Sequence, residues 1–412
     1  MLSVNEAENI IFNLAKPLNL ADTETVDLLT ATGRILASPV TSQLDFPHWD
    51  NSAMDGYAVI YQDVREASEE KPTVLNIVED IPAGYQPQST IQSGQAARIF
   101  TGAVMAKGAD TIVMQENTRR EDNKVFIFKA PEPQAFVRHR ASYYQAGAEL
   151  LPAGIQLNAP EIAVLAAAQC TKLKVFRRPR VAILSTGNEL ITPEQTLQPG
   201  QIVDSNQYAL FSLIKQCGGE PLMLGIIKDE PEAIKAAISE AVAKADIVLS
   251  SGGVSVGDYD YVEKILESLG GEIKVRSVAM KPGKPLTVAS FSIPNPHSPI
   301  YFGLPGNPAS ALVSFWRFVE PVIKKCSSIV EGWQPKFIKA QTRQDLNSNG
   351  KRETYIWGKL DLVNGVNYFS AAGGSKSSGN LINLAQTNAL AVLEVGNKSV
   401  NAGEEVRVLQ VY

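Results

Sequence analysis

Histidine, cysteine and excess positive charge are all scarce in this chain of 412 residues, and each shortage removes a class of function. The three histidines, His48, His139 and His297, stand far apart, so neither a zinc cluster nor a serine-histidine-aspartate triad has support. The three cysteines, Cys170, Cys217 and Cys326, form no CxxC pair and leave an odd count, which suits buried thiols in a reducing compartment. Lys plus Arg number 38 against 43 Asp plus Glu, a net charge of -5, and no basic run is long enough to follow a nucleic-acid backbone. Met1-Leu2-Ser3 runs into polar, acidic residues without the basic flank and apolar core of an export signal. The apolar stretch at 162–168 is too short for a bilayer, and that at 311–323 is interrupted by Arg317 and Glu320. The expectation is a cytoplasmic protein with neither membrane nor nucleic acid as partner. The phosphate-loop pattern GxxxxGK[ST] is missing and no GxGxxG opens a helix, which disfavours a standard nucleotide triphosphatase or dinucleotide fold.

What is present suffices for two to four domains, with 44% of residues hydrophobic. Ser3 and Glu6 fit a capping box ahead of Ile10, Ile11 and Leu14 at helical spacing, predicting a helix over 3–16 closed by Pro17. From about residue 41, short β-type runs at 56–61, 73–78, 96–100, 111–114 and 125–128 read as an irregular β module. Helix is expected again within 142–178, with Pro160 in a first turn, so the module reads as an insertion in a split helical domain. Strands at 181–184, 222–227, 247–249 and 300–302 then alternate with helices near 206–216, 232–244, 261–269 and 309–325, the pattern of a three-layer α/β domain with a largely parallel sheet. Past Trp333 the chain returns to strand and turn, with hairpins at Val363-Asn364-Gly365 and Ala402-Gly403, giving a small barrel or sandwich. The expected boundaries are 1–40 with 142–178, then 41–141, 179–328 and 329–412.

In an open parallel sheet, ligands bind beyond the carboxyl ends of the strands. Three unusual loops fall there: Ser185-Thr186-Gly187-Asn188-Glu189, Ser250-Ser251-Gly252-Gly253-Val254-Ser255, and Gly303-Leu304-Pro305-Gly306-Asn307-Pro308. Each alone reads as a tight turn, but three on one edge read as a cradle, because glycine lets backbone approach an anion and hydroxyls add donors. Glu189, Asp204, Asp229, Asp258 and Asp260 are carboxylates expected near the same ends; for Asp204 and Asp229 helix capping competes evenly with a functional role. Hard oxygen ligands of this kind suit Mg²⁺. Lys281-Pro282-Gly283-Lys284 offers two cations on a stiff turn, fit for a phosphate or oxyanion. In the β module, Asn51-Ser52-Ala53-Met54-Asp55-Gly56-Tyr57-Ala58, Thr101-Gly102-Ala103 and the pair Arg138 and Arg140 form a further constellation.

Taken in order, the segments NSAMDGYAV, TGA, STGNEL, SGGVSVGDYDYV, KPGKPL and GLPGNPASALVSF resemble those of the molybdopterin molybdenumtransferases, the family of MoeA and the E domain of gephyrin, over nearly the whole chain. The resemblance implies a molybdopterin-binding three-layer α/β domain, a split helical domain, an inserted irregular β domain and a C-terminal β-barrel, assembled as a homodimer with a site shared between protomers. It implies insertion of molybdenum from molybdate into adenylylated molybdopterin, with Mg²⁺ and release of AMP, and contact with the molybdopterin adenylyltransferase. A non-catalytic molybdopterin-binding scaffold or carrier of the gephyrin type is the alternative it leaves.

By motif, Asp55, Asp229, Asp260, Lys281 and Lys284 take the catalytic positions, and Glu189, Asp229, Asp258 and Asp260 those of the metal. Thr101, Arg138, Ser185, Thr186, Gly187, Ser251, Gly252, Gly253 and Ser255 fall on substrate positions. Pro305, Gly306, Asn307, Pro308, Arg352 and Ser378 complete the substrate set. The chain departs from its relatives after Arg138, where Arg-x-x-Gly-Glu-Asp is usual and His139-Arg140-Ala141-Ser142-Tyr143 stands here, without the acidic residue expected near Tyr143.

Overall fold

The computed structural model describes residues 1–252, 259–292, 298–374 and 377–411, with backbone alone for Tyr259 and Asp260. The chain divides into two compact units: 1–38, 153–162 and 172–412 in the first, 39–152 and 163–171 in the second.

The first unit is built on a six-stranded sheet. Its strands are β1 (Arg180–Thr186), β2 (Glu220–Ile227), β3 (Ile247–Gly252), β4 (Gly271–Ser277), β6 (Pro285–Phe291) and β7 (Ile300–Leu304); β5 (Met280–Lys281) leaves this sheet for another. The order is β2-β1-β3-β7-β6-β4, parallel across the first four and antiparallel over the last two pairs. Alternation along β1 sends Val181 and Ile183 to one face and Ala182 and Leu184 to the other, and both faces are buried. Helices α1 (Asn206–Gln216), α4 (Pro308–Ser314) and α5 (Glu320–Cys326) and the amino-terminal helix Val4–Leu14 cover the first face. Helices α2 (Pro231–Lys244) and α3 (Tyr259–Ser268) cover the second.

The two antiparallel strands β4 and β6 have no counterpart among the runs expected from sequence. The long helix expected over 309–325 is also interrupted: five residues, Phe315–Val319, form a π-helical turn between α4 and α5. The Ser3 capping box is formed, with Ser3 and Glu6 each accepting the other's backbone N–H. Within 142–178, helix covers Ala159–Ala167 alone; Lys172–Phe176 is instead a strand paired with Thr23–Asp27.

Five strands, β8 (Phe337–Thr342), β9 (Glu353–Val363), β10 (Val366–Ala371), β11 (Ala389–Leu393) and β12 (Glu405–Gln410), close into a barrel in the order β9-β10-β8-β12-β11 and back to β9. This closure leaves Ala340, Phe369, Ala391 and Val408 inside. The Asn364-Gly365 turn joins β9 to β10 with φ of 50° and 80°, the primed hairpin turn that this dipeptide favours. β5 pairs in parallel with the start of β9, so the Lys281 segment is bound to the barrel.

The second unit carries a six-stranded sheet ordered Thr111–Met114, Gly56–Val59, Gln95–Ile99, Thr73–Ile81, Lys124–Ile127, Thr118–Glu121. These are the β runs read from the sequence together with one strand, Thr118–Glu121, that was not.

Candidate functional site: two adjoining cavities at the strand tips

The parallel strands end in register, with Ser185 of β1 opposite Ser251 of β3, and Ser251 opposite Leu304 of β7. Their loops therefore share one edge and enclose a cavity of about 620 Å³, lined among others by Ser185, Thr186, Glu189, Ser251, Gly252 and the run Pro305 to Pro308. Gly252 has φ +94°, and a Cβ there would lie 2.2 Å from the Thr186 carbonyl oxygen, so a side chain would push the β1 and β3 tips apart. Asn206, at the start of α1, ties these loops together: its amide donates to Ser251 Oγ (2.6 Å) and to the Gly306 carbonyl (2.8 Å). Sequence reasoning passed over Asn206. The signal was a polar residue at the first helical position, two residues after Asp204.

Asp204 lines the same cavity and also bonds the first turn of α1. Its carboxylate accepts from the N–H groups of Asn206 (3.1 Å) and Gln207 (3.2 Å) and from the Gln207 side chain (2.7 Å). Asp229 is exposed at the end of the edge strand β2, with its N–H donated to Asn188 Oδ1 at 3.3 Å, outside the residues lining the cavity. Gly187 sits on the β1 tip beside the Glu189 carboxylate. Gly253, Ser255 and Asp258 lie outside the described residues, and Asp260 is placed by its backbone in the first turn of α3.

A second cavity, of about 450 Å³, adjoins the first, since Pro285 and Asn307 line both. It lies where the α/β domain meets the barrel, and it gathers Lys281 and Lys284 from one side and Arg352 from the other. Arg352 is drawn in by the β5–β9 pairing and donates to the Met280 carbonyl at 3.2 Å. Ser378 arrives because its carbonyl accepts the Ala309 N–H at the start of α4. Three cations and the hydroxyls of Ser310, Thr354, Ser377 and Ser378 line this space, with no Asp or Glu among its described lining residues. Cations without a neighbouring carboxylate, ringed by hydroxyl donors, make a site for a compact oxyanion.

A hard cation fits the donors of the first cavity in kind. Glu189 offers carboxylate oxygens on the rim, and the buried hydroxyls of Ser185 and Thr186 have no hydrogen-bond partner among the described residues. Mg²⁺ takes one or two carboxylates, waters and ligand phosphates, so it does not require a protein cage. Among the described residues no group of three His, Cys, Asp or Glu side chains is gathered to hold a metal.

Asp55, Thr101 and Arg138 belong to the second unit. Asp55 Oδ1 accepts both the N–H and the hydroxyl of Thr101, each at 2.7 Å. The Thr101 N–H, then its hydroxyl, hold the Asp55 carboxyl below the usual carboxylate range. Arg138 lies in a two-residue strand, opposite Asn51. The acidic groups beside the divergent segment that follows are Asp45 and Asp50. Asp45 accepts from Arg140 Nε at 2.6 Å, Asp50 accepts from the Arg140 N–H at 2.7 Å and lies 3.3 Å from His139, while Tyr143 is exposed.

Residues 2–168 match the MoeA N-terminal region (domain I and II), 182–325 a domain described as a probable molybdopterin binding domain, and 339–411 the MoeA C-terminal region (domain IV). A molybdopterin molybdenumtransferase of Nostoc sp. is 64% identical over 412 residues, 100% of this chain and 94% of that protein. One from Haemophilus influenzae is 32% identical over 94% of this chain and 93% of its own length. The crystal structure of the molybdopterin biosynthesis MoeA protein from Pyrococcus horikoshii superposes with a TM-score of 0.84 at 27% identity, covering 100% of both chains. The loops that build both cavities fall within these matched regions, and the chain belongs to the molybdopterin molybdenumtransferase family.

Proposed function

We propose that this chain inserts molybdenum from molybdate into adenylylated molybdopterin, releasing AMP, in the last step of molybdenum cofactor assembly. The observation that carries the reading is the cavity of Lys281, Lys284 and Arg352, with no Asp or Glu among its described lining residues, set against the glycine- and hydroxyl-lined strand tips. One holds a compact tetrahedral oxyanion, and the other holds the phosphate-bearing pterin. Proximity does much of the work, because two polyanions that repel in water are kept side by side by fixed cations and loop N–H groups. Water cleaves the phosphoanhydride, giving AMP and the pterin phosphate. The two dithiolene thiols displace one oxo group of molybdate, which leaves as water with their protons, so molybdenum stays hexavalent as it joins the sulfurs. Lys281 and Lys284 hold the molybdate, with Arg352 and Ser378 orienting it. Ser185, Thr186 and Ser251 with the Gly252 and Gly306 backbones hold the phosphate-bearing substrate.

Mg²⁺ would be held by Glu189 with Asp229, Asp258 and Asp260, and when bound it offsets negative charge at the phosphoanhydride. The fixed carboxylate of Asp55, supported by Thr101, serves the site from a second copy of the chain in a homodimer, and Arg138 adds a cation there. The protein is expected to work in the cytoplasm, taking its substrate from the molybdopterin adenylyltransferase; no helix among the described residues is long and apolar enough to cross a membrane.

The test is single-turnover conversion of adenylylated molybdopterin with molybdate and Mg²⁺, following AMP. Wild-type protein is expected to release AMP with molybdate present, and Lys281→Met to lose most of that dependence. AMP release unaffected by both molybdate and the substitution would reject the assignment.

A further inference from the structure

Arg317 is the largest fully buried side chain described, 2% exposed. It occupies the middle of the π-helical turn Phe315–Val319, whose five residues are all buried and whose other four are apolar. Such turns interrupt helices most often where a side chain must be re-aimed for a purpose. The guanidinium pairs with Glu8 of the amino-terminal helix, and Nε donates to the Tyr355 hydroxyl at 3.0 Å. The Tyr355 hydroxyl donates in turn to the Glu353 carboxylate. Arg317 also lies 5.2 Å from the Phe318 ring centre and 5.6 Å from that of Phe337. The remaining guanidinium nitrogen, Nη1, has no hydrogen-bond partner among the described residues.

A buried ionic network is weak support for stability, since apolar residues of the same volume often do as well, so its persistence in a core calls for another reason. That reason lies at the other end of the chain of bonds. Tyr355 is 1% exposed yet lines the oxyanion cavity, two residues from Glu353 on the same face of β9. Glu353 donates its N–H to the Ala279 carbonyl at 3.0 Å and faces Met280 across the β5–β9 ladder. The next residue back, Arg352, grips the Met280 carbonyl. The register that sets Lys281 beside Arg352 is thus fixed on one side by backbone bonds and on the other by Tyr355 and Arg317. Burial raises the Tyr355 hydroxyl well above the ordinary tyrosine value, which keeps it a donor to Glu353.

We propose that Arg317 and Tyr355 are positioning residues for oxyanion binding, locking the start of β9 so that Lys281 and Arg352 converge on one molybdate. The inference rests on reading that cavity as the molybdate site. Neither residue needs to touch the anion.

The experiment measures molybdate binding by calorimetry, KM for molybdate against kcat, and thermal midpoint for wild type, Tyr355→Phe, Arg317→Met and Lys281→Met. Tyr355→Phe and Arg317→Met are each expected to weaken molybdate binding and raise KM by about tenfold, the order set by a buried donor losing its acceptor, with kcat within about twofold. Both variants binding molybdate as wild type does, with a lowered thermal midpoint, would reduce the network to a structural role and overturn the proposal. If Lys281→Met also binds molybdate normally, the reading of the cavity is what fails; if it alone loses binding, the positioning inference fails by itself. Should Tyr355→Phe or Arg317→Met not fold, Glu8→Gln at the partly exposed end of the network replaces it. About threefold weaker binding supports the proposal and unchanged binding overturns it.

Discussion

Gly252→Ala is the smallest change that should disable the strand-tip cradle. The residue has φ +94°, and roughly 1–2 kcal/mol is lost when a residue with a Cβ is held in left-handed backbone. The new methyl would also start 2.2 Å from the Thr186 carbonyl oxygen, about 1 Å closer than a tolerable contact, and that oxygen is backbone and cannot swing aside. The β1 and β3 tips must then move apart by something near that 1 Å, and Ser185 and Ser251, which face each other there, move with them. A displacement of this size at a positioning site lowers turnover on the order of 10²-fold. The thermal midpoint should fall by about 2–4 °C for each kcal/mol of the strain. The assay pairs AMP release at saturating molybdate with thermal unfolding. Turnover within about twofold of wild type, in a folded protein, would refute the claim that these tips are held for a ligand.

Other outcomes follow from the same geometry. Arg352→Lys keeps the charge but loses the planar group that reaches Met280, so molybdate KM should rise several-fold with thermal stability little changed, as steady-state kinetics and calorimetry would read. Thr101→Val removes one of two hydrogen bonds to Asp55 and keeps the N–H, so the Asp55 pKa should rise while staying depressed, measured by carboxyl NMR titration. The sign is that of a depressed acid: its contribution to stability is complete above the unfolded pKa and is lost as pH falls through the folded one, so the variant should lose less on acidification. Asp260→Asn should demand more Mg²⁺ for the same rate, and full activity at limiting Mg²⁺ would remove it from the metal's ligands. Gly365→Ala, in the barrel hairpin at φ +80° with open space around it, should cost about 1 kcal/mol of stability and leave turnover unchanged.

Much of this was legible in the sequence, for reasons that can be named. The β-α alternation of 180–326 survives because each parallel strand is buried on both faces and reads as an apolar run, as Val181 to Leu184 and Ile247 to Leu249 do. Asn364-Gly365 announces its turn because few other pairs accept positive φ twice. The strand-tip glycines stood out because three such loops in one domain exceed what turns alone need.

The rest depends on contacts between distant residues. Strand β4 carries Glu272, Lys274 and Arg276 and β6 carries Thr287 and Ser290 among the apolar residues, and their pairing lies outside any local pattern. The π-helical turn around Arg317 is set by Glu8 and Tyr355, which come from remote segments. A single cradle at the strand ends was the expectation. The lysines instead line an adjoining cavity with barrel residues, because β5 pairs with β9 rather than with the α/β sheet. Asp204 was equally readable as ligand or cap, and its carboxylate bonds the first N–H groups of α1 while lining the cavity.

The most direct measurement is the anomalous scattering of molybdenum in crystals of the protein with molybdate, recorded for wild type and Lys281→Met. The account expects one strong peak in wild type within hydrogen-bonding reach of Lys281, Lys284 and Arg352, and none there in the variant. A peak elsewhere in wild type, or one that persists beside residue 281 after the substitution, would contradict it.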